Sequence, residues 1–278
     1  MQHVCQTPSE LRDRLRGTDT VGFVPTMGAL HDGHLALVNR ALLDHQTVVV
    51  SIFVNPTQFG PSEDFSNYPR TLDYDVAFLT QSPHSLEKKI LVFTPTVTDL
   101  YGPSIQTSTV VNVPELESLW CGKTRPGHFQ GVASVVLRLL NMVRPDSLYM
   151  GEKDFQQLVL IQKMVQDLWV GVQVLGCPIV RESDGLALSS RNRYLSSSQR
   201  KKAPQLYRQL LKIKSRFEEG ERDVEKLVDN LDFSGFELEY CAVVDSLSLQ
   251  PLFSASRGNR VLLAAKLGTT RLIDNIAL

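Results

Sequence analysis

Val21-Gly22-Phe23-Val24-Pro25-Thr26-Met27-Gly28-Ala29-Leu30-His31-Asp32-Gly33-His34 passes from an apolar run of strand type into a helical pattern continued by Leu35, Leu37, Val38, Ala41 and Leu42. The segment between the two patterns is a strand-to-helix turn. In open parallel sheets ligands bind beyond the carboxyl ends of the strands, where the first amides of the next helix point outward unpaired. Gly28 and Gly33 let backbone come close to a bound group, and two imidazoles at this spacing offer donors to phosphate oxygens at a positive helix end. The stretch reads as a phosphate cradle. Two other readings stay open. One is a His-Asp-His metal site, which lacks a third soft ligand and the i,i+4 spacing of a helical zinc pair. The other makes the histidines satisfied loop residues, although the place of His34 after Gly33 at a helix start favours anion contact.

The same theme recurs along the chain. Thr47-Val48-Val49-Val50-Ser51-Ile52-Phe53-Val54 is a continuous β-branched run, as in a strand buried on both faces of a parallel sheet, and it ends in the turn-rich Asn55-Pro56-Thr57-Gln58-Phe59-Gly60. Residues 131–143 read as a largely buried helix, and 147–150 as a strand that stops at Gly151-Glu152-Lys153-Asp154. A helix over 155–166 and strand-like 172–175 and 179–180 follow. Polar loops thus follow three apolar strands, and a doubly wound parallel sheet sets such loops side by side on one edge. Beyond Val180 the texture changes to a polar stretch with Asp184-Gly185, a charge-rich helical region over 201–225, and strands over 236–244, 261–266 and 271–273, the last two joined by a hairpin turn at Gly268-Thr269-Thr270. The expected fold class is α/β, with a smaller α+β unit at the C-terminal end.

Composition narrows the class of function. A chain of 278 residues, 42% hydrophobic and 21% charged, is ordinary globular material with room for two cores. Lys+Arg at 29 against Asp+Glu at 30 leaves no basic excess to hold a nucleic-acid backbone through counterion release. The four cysteines, Cys5, Cys121, Cys177 and Cys241, form no C-x-x-C pair and read as free thiols of a reducing compartment. No apolar stretch has membrane length and no signal-peptide pattern leads the chain, so a cytoplasmic location without membrane or nucleic-acid partners is expected.

Several side chains admit two readings. Lys153, flanked by acids, is either a solvated surface residue or, at the end of a buried strand opposite the histidine loop, a phosphate ligand. Ser189-Ser190-Arg191 combines hydroxyls with a guanidinium, a good oxyphosphate clamp. Gln58 and Gln157 are neutral amides that donate and accept, which suits a small hydroxy-carboxylate, and either also reads as a surface glutamine.

Pro25-Thr26-Met27-Gly28-Ala29-Leu30-His31-Asp32-Gly33-His34, Phe53-Val54-Asn55-Pro56-Thr57-Gln58-Phe59, Tyr68-Pro69-Arg70-Thr71, Arg125-Pro126-Gly127-His128-Phe129-Gln130-Gly131-Val132, Gly151-Glu152-Lys153-Asp154-Phe155-Gln156-Gln157 and Leu188-Ser189-Ser190-Arg191-Asn192 together resemble the pantothenate synthetase (pantoate–β-alanine ligase) family. Order and spacing match along nearly the whole chain. The histidine loop also resembles the H-x-G-H element of the wider nucleotidyltransferase superfamily, and the Ser-Ser-Arg segment its mobile phosphate-binding loop. The segment Gln81-Ser82-Pro83-His84-Ser85-Leu86-Glu87-Lys88-Lys89 departs from the pattern, being longer and more polar than the family's connection.

The resemblance implies a Rossmann-like nucleotide- and pantoate-binding domain over 1–180, a smaller lid-like α+β domain over 181–278, and usually a homodimer. It implies an AMP-forming ligase that turns ATP, (R)-pantoate and β-alanine into pantothenate, AMP and pyrophosphate through a pantoyl-adenylate, with Mg²⁺ accompanying ATP. By motif, Met27, Gly28, Ala29, Leu30, His31, Asp32, Gly33 and His34 contact ATP, and His34 is the expected catalytic donor with His31, Lys153 and Arg191. Gly151, Glu152, Lys153, Asp154, Val180, Leu188, Ser189, Ser190 and Arg191 complete the nucleotide site, and Gln58 and Gln157 hold pantoate. Asp75 lies near magnesium in this reading, and an acid at a helix N-terminus is its alternative. Two rivals share features: a nucleotidyltransferase making a dinucleotide-like product, which needs neither the paired glutamines nor the residues after Val180, and a non-catalytic nucleotide sensor, which has little use for Lys153, His34 and Arg191 together.

Overall fold

A computed structural model describes residues 3–61 and 63–278. Six strands, β1 (His3–Cys5), β2 (Val21–Thr26), β3 (Thr47–Ile52), β4 (Lys89–Phe93), β5 (Ser147–Gly151) and β6 (Gln173–Cys177), form one sheet in the order β1-β4-β3-β2-β5-β6. Every pairing in it is parallel. The three strands whose loops the sequence singles out, β3, β2 and β5, are neighbours at its centre.

Alternation along the strands explains why both faces are covered. Val48, Val50, Ile90, Val92 and Tyr149 pack on one face with Val38, Ala41 and Leu42 of the helix Asp32–Asp44 and with Phe78 and Leu79 of the helix Leu72–Leu79. Val49, Leu91, Phe93, Leu148 and Met150 point the other way, against the helices Pro8–Leu15, His128–Val143 and Phe155–Asp167. The helix after β2 and the helix after β5 therefore cover opposite faces. That divergence makes the gap between β2 and β5 a topological switch point, where a crevice opens at the carboxyl ends of the strands.

A second sheet of β7 (Glu237–Val244), β8 (Arg260–Leu267) and β9 (Thr270–Ala277) is antiparallel. Leu206, Leu210, Ile213 and Phe217 of the helix Gln205–Glu218 pack on Val261, Leu263, Ala265 and Leu267 of β8. Val244, Leu249 and Leu262 join the core of the large sheet instead, so the small unit is seated on the large one through its other side.

Some local expectations shift. Residues 179–180 are not a strand: β6 ends at Cys177, before Pro178, which has no amide to give a ladder. The turn at Gly268 and Thr269 is as expected, with Thr270 already paired to Leu267. Residues 81–88 are turns leading into β4.

Candidate active site

The loop after β2 is held from within. Thr26 Oγ1 donates to the Ser51 carbonyl at 2.7 Å and accepts from Gly28 N–H at 3.2 Å. Gly28 at φ 81° and Ala29 at φ 51° turn the chain through the left-handed region, where a non-glycine residue is strained. The carboxylate of Asp75, fully buried, accepts from Ala29 N–H at 2.9 Å and Leu30 N–H at 2.8 Å. Thr71 Oγ1 adds a third bond at 3.2 Å.

Asp75 stands in the first turn of the helix Leu72–Leu79, the alternative that its sequence position offered, and anchors the loop: both of its oxygens are engaged, and it is closed off from solvent. Among the described residues no cluster of three His, Cys, Asp or Glu gathers to hold a metal. The loop amides of Gly28, Ala29 and Leu30 are bonded inside the protein.

The histidines cap the helix Asp32–Asp44 reciprocally. His31 Nδ1 accepts from Gly33 N–H at 3.1 Å, and His34 Nδ1 accepts from His31 N–H at 3.3 Å, a capping box built from imidazoles. An acceptor at Nδ1 leaves the ring proton of a neutral imidazole on Nε2, so each ring keeps one N–H donor. The rings lie 4.1 Å apart. A Cβ on Gly33 would come within 2.9 Å of the His31 ring, which explains the glycine between them. Burial, then the Lys153 charge, lowers the His31 pKa to about 4. Burial, then His31 and Lys153, lowers that of His34 to about 3. Both rings are neutral donors at neutral pH.

Loops from β3 and β5 close the other sides. Asn55, 1% exposed, donates to Gln58 Oε1 at 3.1 Å and to the Gly131 carbonyl at 3.1 Å, while its Oδ1 accepts from Tyr101 OH at 2.6 Å. Gln58 is thereby oriented with Nε2 pointing toward Met27, whose sulfur is 2.9 Å away. A Cβ at Gly131 would lie 2.7 Å from Gln58 N, so only glycine lets the helix His128–Val143 approach this turn. The neighbouring glutamines after β5 separate cleanly. Gln156 is buried and bonds Cys121 N–H and the Leu116 and Leu119 carbonyls, whereas Gln157 lines the cleft.

Charge enters from Lys153 and Arg191. Lys153 is 19% exposed, with Asp154 at 3.8 Å from its ammonium. Arg191 lies 3.1 Å from Asp64. Burial alone would raise the Asp64 pKa, but the hydrogen bond and charge of Arg191 outweigh it and hold the carboxyl below the usual range. Ser189 Oγ caps the short turn Ser190–Tyr194 by accepting from Arg191 N–H at 3.3 Å, and Ser190 Oγ lies 3.2 Å from Tyr68 OH. Behind them Arg125 binds Glu63 through Nε at 2.7 Å and Nη2 at 2.5 Å, and its Nη1 meets His128 Nε2 at 2.9 Å. His128 in turn holds the Gln58 carbonyl at 2.7 Å through Nδ1.

These groups face one cleft of about 1450 Å³, counted to its open mouth. Met27, His31, Gly33, His34, Gln58, Gly151, Lys153, Asp154, Gln157, Val180, Leu188, Ser189, Ser190 and Arg191 all line it. Gly28, Ala29, Leu30, Asp32 and Asp75 support it from behind or beside, and Glu152 turns away to pair with Arg260 at 2.7 Å. Sequence reasoning had no role for Asp64, Glu63, Arg125, His128 or Asn55. Asn55, Arg125 and His128 sit in motifs that carry the resemblance, whereas Asp64, 127 residues from Arg191, gives no local signal.

The family model described as pantoate-beta-alanine ligase matches residues 3–277. A pantothenate synthetase of Alcanivorax borkumensis is 47% identical over 279 residues, covering 99% of this chain and 96% of the relative. The crystal structure of the enzyme from Thermus thermophilus superposes with a TM-score of 0.93 at 46% identity, covering 100% of this chain and 99% of that one. A Francisella tularensis pantoate-beta-alanine ligase, solved with beta-gamma ATP and beta-alanine, superposes at 0.76 with 33% identity, covering 100% and 98%. On its sequence and its fold alike, this chain belongs to the pantoate–β-alanine ligase family.

Proposed function

We propose that this chain condenses (R)-pantoate with β-alanine, consuming ATP and releasing AMP and pyrophosphate by way of a pantoyl-adenylate. The observation that carries the reading is the mixed lining of the single cleft. His31, His34, Lys153, Arg191 and the Ser189 and Ser190 hydroxyls form a donor set for polyphosphate. Gln58 and Gln157, with the apolar Phe53, Val132, Val135, Val136 and Leu139 of the same lining, match the hydroxyls, carboxylate and gem-dimethyl carbon of pantoate.

In the first step a pantoate carboxylate oxygen bonds to the α-phosphorus of ATP, and the bond from that phosphorus to the bridging oxygen breaks, releasing pyrophosphate. Like charges approach each other, so fixed donors at the phosphates lower the barrier most. The neutral Nε2–H groups of the histidines, the Lys153 ammonium and the Arg191 guanidinium fill this role. Arg191 exchanges its Asp64 partner for phosphate oxygens as ATP arrives. In the second step the β-alanine amine, once deprotonated, attacks the acyl carbon, and AMP leaves. The protein forms no covalent bond with substrate. It holds partners in line, a contribution of about 7–11 kcal/mol when geometry is ideal.

Magnesium enters this reading with ATP, as part of the MgATP substrate. A homodimer in the cytoplasm belongs to the same reading through the family resemblance. Among the described residues no helix is long and apolar enough to cross a membrane.

Pantoate alone should support exchange of labelled pyrophosphate into ATP, because activation and transfer are separate steps. An exchange that needs β-alanine would remove the adenylate. Replacing Gln58 or Gln157 by alanine should raise the pantoate KM about 5- to 150-fold, the equivalent of about 1–3 kcal/mol for a buried polar group left unpaired. The ATP KM should move far less. Titrating each substrate with the others saturating measures both, and an equal or larger effect on ATP would take the glutamines out of the pantoate subsite.

A further inference from the structure

The loop that carries Lys153 is fastened from the small unit. Nδ2 of Asn275, on β9, donates to the Glu152 carbonyl at 2.8 Å and to the Lys153 carbonyl at 3.0 Å. Asn275 is 2% exposed, and its orientation leaves no freedom: Oδ1 accepts from Arg260 Nε at 2.7 Å. Arg260 continues to Glu152 Oε2 at 2.7 Å, and its guanidinium lies 4.1 Å from the centre of the Phe155 ring. The short turn Glu152–Asp154 is thus gripped at two carbonyls and one side chain by groups of β8 and β9.

The adjacent residue does the same for the second phosphate-facing loop. Asp274 receives Arg181 through two bonds at 2.6 and 2.8 Å. Arg181 reaches the Gly185 carbonyl at 3.1 Å and pairs across to Ala187, just before Leu188 and Ser189. Consecutive residues of one strand therefore anchor both loops that face the phosphates.

An asparagine at such a buried strand position demands a reason, because an apolar residue would pack there without two donors to satisfy. A lysine supplies one: its flexible stem places charge accurately only if the backbone beneath it is immobile. We propose that Asn275 is a positioning residue for the adenylation step, setting the place of the Lys153 ammonium by holding the carbonyls on either side of the Lys153 α-carbon. The inference rests on the reading of Lys153 as a phosphate donor.

The test is a double-mutant cycle read by pantoate-dependent pyrophosphate–ATP exchange in the full chain, with Asn275→Ala, Lys153→Ala and the double variant. Asn275→Ala should lower the exchange kcat about 10-fold with the pantoate KM within about twofold of the parent, as expected for a lost alignment rather than a lost contact. In the Lys153→Ala background the same change should lower it by less than about twofold, since nothing remains to position. Should Asn275→Ala lose its cooperative thermal melt, Asn275→Asp, of the same shape but with acceptors facing the two carbonyls, takes its place in the cycle. An equal loss in both backgrounds, or a pantoate KM rising as kcat falls, overturns the inference while leaving the site reading intact. Full exchange activity in Lys153→Ala overturns the site reading itself, and the inference with it.

Discussion

Replacing Lys153 by alanine should lower the rate of pantoyl-adenylate formation by on the order of 10²–10³, the usual loss for one preorganised donor at developing charge, and His34→Ala should do the same. The lysine variant is the cleaner probe. Its ammonium is weakly held, 3.8 Å from Asp154, so its removal disturbs few protein contacts. His34 also caps its helix by accepting from His31 N–H, so His34→Ala adds a local stability loss of about 1 kcal/mol to the catalytic one. Thermal melts alongside pyrophosphate exchange separate the two effects. Near-normal turnover in both variants would place ATP elsewhere in the cleft.

Acid destabilises this fold through imidazoles that are kept neutral. Burial, helped by nearby positive groups, lowers the pKa of His31 to about 4, His34 to about 3 and His128 to about 4. In the unfolded chain the same rings take up protons near about pH 6.5. Between those values the unfolded state binds more protons, so stability is complete above about pH 6.5 and falls as pH drops toward the folded values. Each ring contributes at most about 1.4 kcal/mol per pH unit in that window. Glu63 and Asp64 act in the same direction lower down, because Arg125 and Arg191 outweigh the effect of burial and hold their folded pKa values below the ordinary ones. Urea midpoints measured at about pH 7 and about pH 5 should therefore separate clearly, the acid one lower. Equal midpoints would mean that the three rings are protonated as readily in the native protein as in the unfolded chain.

Local sequence was enough wherever periodicity reports burial. The β-branched run of β3 and the apolar residues of β2 and β5 declare strands covered on both faces, and the loops that follow them carry polar residues with no packing reason to be there. That placed His31, His34, Gln58, Lys153 and Gln157 on one sheet edge before any contact was known. β1 escaped because three residues are too few to show a period, and β4 because it begins directly after a polar stretch.

What the chain determined by itself was the phase of its hydrophobic pattern, and with it the α/β fold and the motifs at the strand ends. What only the tertiary structure decided was how each polar group at those ends is used. Asp75 meets Leu30 across 45 residues, Asp64 meets Arg191 across 127, and Asn275 meets the Lys153 carbonyl across 122. A carboxylate or amide carries no mark of its distant partner, because a buried polar group is satisfied by whichever donor or acceptor the packed layers bring within about 3 Å. Asp75 thus admits two readings in isolation and becomes a backbone anchor once the sheet has closed around it.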